Sequence, residues 1–309
     1  LPGEVRVDWL QFTVWGASDE EVRKVVGEFV CTDWTQCAGN YGYPSGWVGS
    51  GGSRILYGAK DERQGVHVVI PGRALSELSE SDVRGLLSYV RSKGRPSRVD
   101  IACDFRPDDA GRLVSPSDVR EADLRGETVT RVKIRTWLES RRGASYSGST
   151  YSFGRRGAPR YLRVYDKGAQ KGNGERLTRW ELECRDESAD AIVTSLLGGP
   201  WGEAFGSWLV GFVDFRTVNG KRSNRRERAP WFERLVGEAR AARVGVHLPE
   251  ESLEAMRRWL RVQVAPTLAL VWTVDGGEAE YLTDLARQGR EKWTKRHVEL
   301  MYKEGLKVA

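Results

Sequence analysis

Apolar and polar positions alternate with a period of two over Val5 to Trp15, where β-branched and aromatic residues recur, and this predicts a strand. Ser18-Asp19-Glu20-Glu21 then reads as a capping box that opens a helix reaching Val30. The glycine-rich stretch from Gly39 to Gly52 reads as a loop, followed by short strands at Arg54 to Tyr57 and Val66 to Ile70. Ser79-Glu80-Ser81-Asp82 caps a second helix running to about Ser92, and Arg98 to Phe105 forms the next strand. After a helix beginning past Ser117, strands are predicted at Thr130 to Thr136, Thr150 to Phe153, Arg160 to Lys167 and Leu177 to Arg185. Short Gly, Ser and Arg-rich turns separate most of them, which favours antiparallel pairing over βαβ crossovers. From about Ser188 the pattern turns helical, through Trp201 to Phe215, Trp231 to Ala242, Glu250 to Val262 and Tyr281 to Met301. The expected fold is α+β, an antiparallel sheet carrying the functional site, flanked by helices, with a helical C-terminal region. Its expected divisions are an α+β half at 1–110, a sheet-rich half with the tyrosines and a basic loop at 111–220, and helices at 221–309.

Composition narrows the class. At 309 residues the chain can bury a sizeable core, and its 30% charged and 39% apolar residues are ordinary for a soluble globular protein. No apolar run is long enough to cross a bilayer. The chain starts at Leu1 without a basic-then-apolar leader, which implies a cytoplasmic protein shortened at its N-terminus, with room for an upstream module. Cys31, Cys37, Cys103 and Cys184 form no Cys-x-x-Cys pair and read as buried thiols, in keeping with that compartment.

The formal charge of +6 is unevenly spread. Arg131 to Arg176 holds twelve Lys/Arg, among them Arg155, Arg156 and Arg160, against the three acids Glu139, Asp166 and Glu175, so the rest of the chain is net negative. A second basic knot, Arg216 to Arg228, includes Arg225 and Arg226. Concentrated positive charge is the footprint of a polyphosphate partner, because each neutralised phosphate releases counterions; a solvated basic face is the plainer alternative.

Side chains on a strand alternate faces, so the strongest strand candidates resolve into two sides. Val99, Ile101, Cys103 and Phe105 share an apolar face, leaving Asp100, Ala102 and Asp104 on the other. Trp180, Leu182 and Cys184 face the core, and Glu181 and Glu183 face away with Arg179 and Arg185. Leu162 and Val164 oppose Tyr161, Arg163, Tyr165 and Lys167, which assigns Asp166 to the core side. If the strands share one sheet, carboxylates, tyrosines and cations meet on one surface. Clustered carboxylates favour a hard divalent cation, and a phenol of pKa about 10 needs such a field, a neighbouring cation or a base to attack as phenolate. Arg163 and Lys167 stand where that charge is needed. Cross-strand pairs on an exposed strand face remain the alternative reading.

The segments Thr150-Tyr151-Ser152-Phe153-Gly154-Arg155-Arg156, Tyr161-Leu162-Arg163-Val164-Tyr165-Asp166-Lys167 and Arg179-Trp180-Glu181-Leu182-Glu183, in that order, resemble the Rep_trans family of rolling-circle replication initiators and related relaxases of integrative conjugative elements. Arg98-Val99-Asp100-Ile101-Ala102-Cys103-Asp104 upstream and Asn224-Arg225-Arg226-Glu227-Arg228-Ala229-Pro230-Trp231-Phe232 downstream extend the resemblance through most of the chain. It implies a site-specific nickase that forms a 5′-phosphotyrosine link, leaves a 3′-hydroxyl, uses Mg or Mn, and can rejoin ends without ATP. By position it implies Tyr165 as nucleophile with Tyr161 in reserve, and Asp100, Asp104, Glu181 and Glu183 as candidate metal ligands. Origin DNA is the implied partner, with Arg155 and Arg156 on its backbone; family members can also dimerise or recruit a host helicase. The His-hydrophobe-His metal pair of other tyrosine nickases is absent, since His67, His247 and His297 lie far apart. The Arg and His set of tyrosine recombinases is not apparent, and no helix-turn-helix is visible. Tyr41, Tyr43 and Trp47 are candidates for stacking on unpaired bases. A DNA-binding protein without chemistry and a nuclease using water are the competing readings.

Overall fold

The computed structural model describes residues 3–30, 33–61, 64–143, 145–172, 174–220, 222, 225–237, 257, 260–277, 279–293, 297–298 and 301–302. The chain divides into two compact units, Leu1–Val246 and His247–Ala309. The first is built on one antiparallel sheet of ten strands in the order β2-β3-β4-β5-β1-β6-β11-β10-β9-β8. These are β1 (Glu4–Val14), β2 (Thr35–Ala38), β3 (Ser45–Val48), β4 (Arg54–Tyr57), β5 (Val66–Pro71), β6 (Gly94–Phe105), β8 (Arg135–Arg142), β9 (Ser145–Phe153), β10 (Arg160–Asp166) and β11 (Thr178–Arg185). A separate ribbon pairs β7 (Thr128–Val129) with β12 (Asp214–Phe215). Segments 1–110 and 111–220 thus contribute to the same sheet, joined where β6 pairs with β11.

One face of the sheet is covered. Leu10, Phe12, Val68, Ile70, Val99, Ile101, Leu162, Val164, Trp180 and Leu182 project from it and are fully buried or nearly so. Against them pack α1 (Asp19–Gly27), α3 (Glu80–Lys93), α6 (Glu187–Gly198) and α7 (Trp201–Phe212). The first two begin at the predicted capping boxes, with Ser18 and Ser79 each accepting from the backbone N–H three residues on. Further helices are α2 (Gly72–Leu75) after β5, α4 (Pro116–Leu124), α5 (Lys167–Lys171) after β10, and α8 (Pro230–Val236). Trp180, Phe215, Trp231 and Phe232 form an aromatic cluster beneath β11, with Phe215 and Trp231 centroids 4.8 Å apart. In the second unit, helices cover Ala265–Val274 and Ala279–Glu291. Among the described residues no helix is long and apolar enough to cross a membrane.

Several elements depart from the sequence pattern. β3 lies inside the predicted glycine-rich loop; Gly46 pairs with Leu56, and a Cβ there would stand 2.8 Å from that leucine's Cδ2, so the strand needs a residue the pattern scores as loop. Thr130 to Ile134 alternates like a strand yet is none. The Thr130 hydroxyl donates to Phe212 O and accepts from Val132 N–H, and pairing begins only at Arg135. Strand β10 stops at Asp166, which caps α5 by accepting from Ala169 N–H at 3.0 Å, so Lys167 opens a helix. The helix expected to reach Val30 ends at Gly27, and Tyr281 to Met301 is helical over Ala279–Glu291. The expected helices beyond Val236 and over Glu250 to Val262 fall largely outside the described residues. Cys103 and Cys184 are buried, Cys37 is half-buried, and Cys31 lies outside the described residues.

Candidate active site

The uncovered face carries the polar residues of the same strands. Register sets the neighbours: Asp100 stands opposite Glu183, Asp104 opposite Arg179, Arg163 opposite Glu181, and Tyr165 opposite Arg179 on its other side. Asp100, Arg163, Tyr165, Arg179 and Glu181, together with residues of β1, α2 and α5, line a cleft of about 970 Å³ that includes Trp9, Arg73, Arg98, Arg156, Tyr161 and Lys167, while Asp104 and Glu183 lie behind its wall.

A bulge shapes its floor. On β1, Val7 pairs with Ile101 and Trp9 with Asp100, so Asp8 is the extra residue, and both Asp8 and Trp9 reach the cleft. Asp8 Oδ1 accepts from Arg179 Nη1 at 2.8 Å. Arg179 also donates to both oxygens of Asp104, at 2.5 and 2.7 Å, and Arg6 donates to Asp104 at 3.0 Å. These charge-assisted bonds hold the Asp104 carboxyl below the usual range despite its burial. Asp104 is therefore the anchor of an arginine network pinning β1, β6 and β11. The α2 N-terminus fits closely against it: a Cβ on Gly72 would lie 2.5 Å from Asp8 O.

A second network holds the other carboxylates. Arg98 donates to both oxygens of Asp100, at 2.8 and 2.5 Å, bridges to Glu183 at 3.1 Å, and lies over the Trp9 ring. Arg185 takes the other Glu183 oxygen at 2.5 Å. Burial, reinforced by Glu181 and Glu183, nevertheless raises Asp100 to about 7 against the pull of Arg98. Among the described residues no three His, Cys, Asp or Glu form a ready metal-ligand group. Asp100, Glu181 and Glu183 are buried oxygen donors on one face with mutual repulsion left over, a donor set that suits a hard divalent ion in kind. Each of these carboxylates, like that of Asp104, is already held through both oxygens by arginine or tyrosine, so an ion would have to displace such a partner.

Tyr165 donates its hydroxyl to Glu181 Oε2 at 2.9 Å. Arg163 Nη2 pairs with the other oxygen of that glutamate, and the Arg163 and Lys167 cations stand 5.8 and 5.7 Å from the Tyr165 ring centroid. Burial, then the Glu181 charge, push the phenol well above its ordinary value, so it rests protonated against a carboxylate that can take its proton. Tyr161 also lines the cleft, with no side-chain hydrogen bond among the described residues.

The basic residues separate by position. Arg156 lines the cleft, and Arg155 is exposed beside it. Arg160 lies on the covered side, its guanidinium 5.0 Å from the Phe212 ring centroid. Arg226 donates to Gly126 O and Arg228 to Asp214, so the segment carrying Arg225 and Arg226 buttresses the β7–β12 ribbon away from the cleft. Sequence reasoning missed Asp8, Trp9 and Arg73. The first two had a signal: apolar positions run Val5, Val7 and then Leu10, Phe12, Val14, a phase slip that marks a bulge at Asp8 and Trp9. Arg73, at the start of a four-residue helix, had none.

An antiparallel sheet with helices packed on one side has a counterpart among solved structures. The rolling circle replication initiator protein from Geobacillus stearothermophilus matches it with a TM-score of 0.66 at 22% identity, over 78% of this chain and 98% of that one. Residues 94–285 match a family model described as replication initiation factor (Rep_trans), and the chain belongs to that family. No curated protein matches.

Proposed function

We propose that this replication initiation factor nicks one DNA strand at its origin, with Tyr165 as the nucleophile. The observation that carries the reading is the Tyr165 hydroxyl on Glu181, flanked by Arg163 and Lys167 in a basic cleft. In the step, Tyr165 Oη bonds to phosphorus as its proton passes to Glu181, and the P–O3′ bond breaks. The 3′ oxygen takes a proton from water, leaving a 5′-phosphotyrosine and a 3′-hydroxyl; the reverse step rejoins the ends. Lys167 orients the phosphate and offsets charge on it, and Arg163 holds the Glu181 carboxylate in place. Asp100, Glu181 and Glu183 would hold a Mg or Mn ion, which supplies Lewis-acid polarisation of the phosphate when bound. Asp104 and Asp8 fix Arg179 beneath Tyr165. Arg73 and Arg156 at the cleft wall, without an ion-pair partner among the described residues, suit backbone phosphates.

A denaturing gel of the protein with end-labelled single-stranded origin oligonucleotide in Mg or Mn buffer tests this. Wild type should give a protein-linked 5′ product, Tyr165→Phe none, and Tyr161→Phe a normal one. An undiminished adduct from Tyr165→Phe would rule out Tyr165. Free 5′ ends would point to water as nucleophile, and supercoiled plasmid left closed under every metal would point to a binder without chemistry.

A further inference from the structure

The sheet's uncovered face does not end at the cleft. His67 and Thr13 lie four residues along β5 and β1 from Pro71 and Trp9, with no bulge between in their pairing. Both pairs therefore project to the same side, and Pro71 and Trp9 line the cleft. The spacing is about 13 Å at 3.3 Å per residue. At that point three aromatic rings gather. Tyr43 stacks on His67 with centroids 6.0 Å apart and 17° between planes, and Tyr41 stands edge-on to His67 at 5.9 Å and 72°.

The cluster is held from outside the core. His67 Nδ1 shares a hydrogen bond with the Thr13 hydroxyl at 3.0 Å, and Tyr43 Oη donates to Gln64 O at 2.7 Å. Burial lowers the His67 pKa to about 4, so its ring is neutral at physiological pH. Tyr41 itself is 59% exposed. It occupies the first central position of a tight turn closed by Tyr43 N–H on Asn40 O, with φ of 54° at Tyr41 and 84° at Gly42. That is a type I′ pattern, in which Asn or Gly belongs at the first central position. A tyrosine there is conformationally unfavourable, and its ring is given to solvent rather than to the core. Midway along the path Gln11 and Val69 are buried, and half-buried Arg54, in register with Val69, has no ion-pair partner among the described residues.

We propose that Tyr41, Tyr43 and His67 form a base-stacking platform for the unpaired DNA strand that runs along this side of the sheet from the tyrosine cleft, with Arg54 on its phosphates. The identity of the strand rests on the nickase reading. Aromatic faces bind bases without sequence preference, and about 13 Å spans roughly four nucleotides at 3.4 Å each.

Fluorescence anisotropy of an oligothymidylate about fifteen nucleotides long provides the test, with the cleft residues left intact. Tyr41→Asn should weaken binding about tenfold, Tyr41→Phe should bind within about twofold of wild type, and Tyr41→Trp should bind at least as tightly. The thermal midpoint of Tyr41→Asn should equal or exceed that of wild type, because asparagine suits the turn. Unchanged binding by Tyr41→Asn would overturn the platform, as would a loss that tracks a lowered midpoint. Binding needs no cleavage, so a wild type that fails to nick origin DNA would overturn the nickase reading and leave the platform to be decided by this series.

Discussion

Glu181 faces two partners that pull its carboxylate in different directions: the Arg163 guanidinium on one oxygen and the Tyr165 phenol on the other. Replacing it with glutamine keeps an acceptor for the phenol and removes the base. Glu181→Gln should therefore lower the single-turnover nicking rate by about a hundredfold or more while leaving single-strand affinity within about twofold. Equal loss of rate and affinity would assign Glu181 to binding instead. A second residue carries a pH signature. His67 takes its proton near 6.5 when unfolded and near 4 when folded, so between those values the unfolded chain binds more protons. Its contribution to stability is complete above about pH 6.5 and is lost as pH falls towards 4. The full loss is about 2 kcal/mol, discounted because the ring is half-buried. Urea midpoints should show that slope in wild type and a shallower one in His67→Phe.

Among the elements, β1, β6 and β11 meet through Arg179, Asp104 and Asp8. Asp104→Asn removes the charge that compensates a buried guanidinium and should cost about 3 kcal/mol in denaturant unfolding. Gly72→Ala would press on Asp8 O and should lower nicking more than stability, since it displaces the bulge at the cleft rather than the core. The faces of β6, β10 and β11 were legible in the sequence because buried aliphatics alternate with charges over seven residues. The pairing of charges was not. Nothing in the spacing of Arg98 tells that it joins Asp100 to Glu183, because that contact depends on the register between strands about eighty residues apart. Arg160 was assigned to the DNA by composition, but it falls in phase with Leu162 and Val164 and follows them to the covered side. β3 was lost to its glycines, and Thr130 to Ile134 was over-read because side-chain hydrogen bonds compete with ladder pairing there.

At the scale of the whole molecule, basic residues are divided between those already paired and those left for a ligand. Arg6, Arg98, Arg163 and Arg179 are bound to internal carboxylates, whereas Arg73 and Arg156 line the cleft without such partners among the described residues. Only the second kind should contribute to counterion release. Arg73→Ala and Arg156→Ala should each reduce the slope of log affinity against log salt for single-stranded DNA by about 0.7, and the double variant by about twice that. A clustered charge count from the sequence cannot make this division, since paired and free arginines look alike in composition.

The arginine pairing of the cleft carboxylates also has a consequence for handling the protein. Guanidinium groups already neutralise most of the charge that a divalent ion would otherwise have to offset, so the sheet needs no ion to assemble. Protein stripped with chelator should keep its melting temperature, survive storage, and regain nicking when Mg or Mn is returned. Scaffold integrity and catalytic competence would then answer to separate ionic conditions, with the ion acting as a reversible on-switch for a preformed fold.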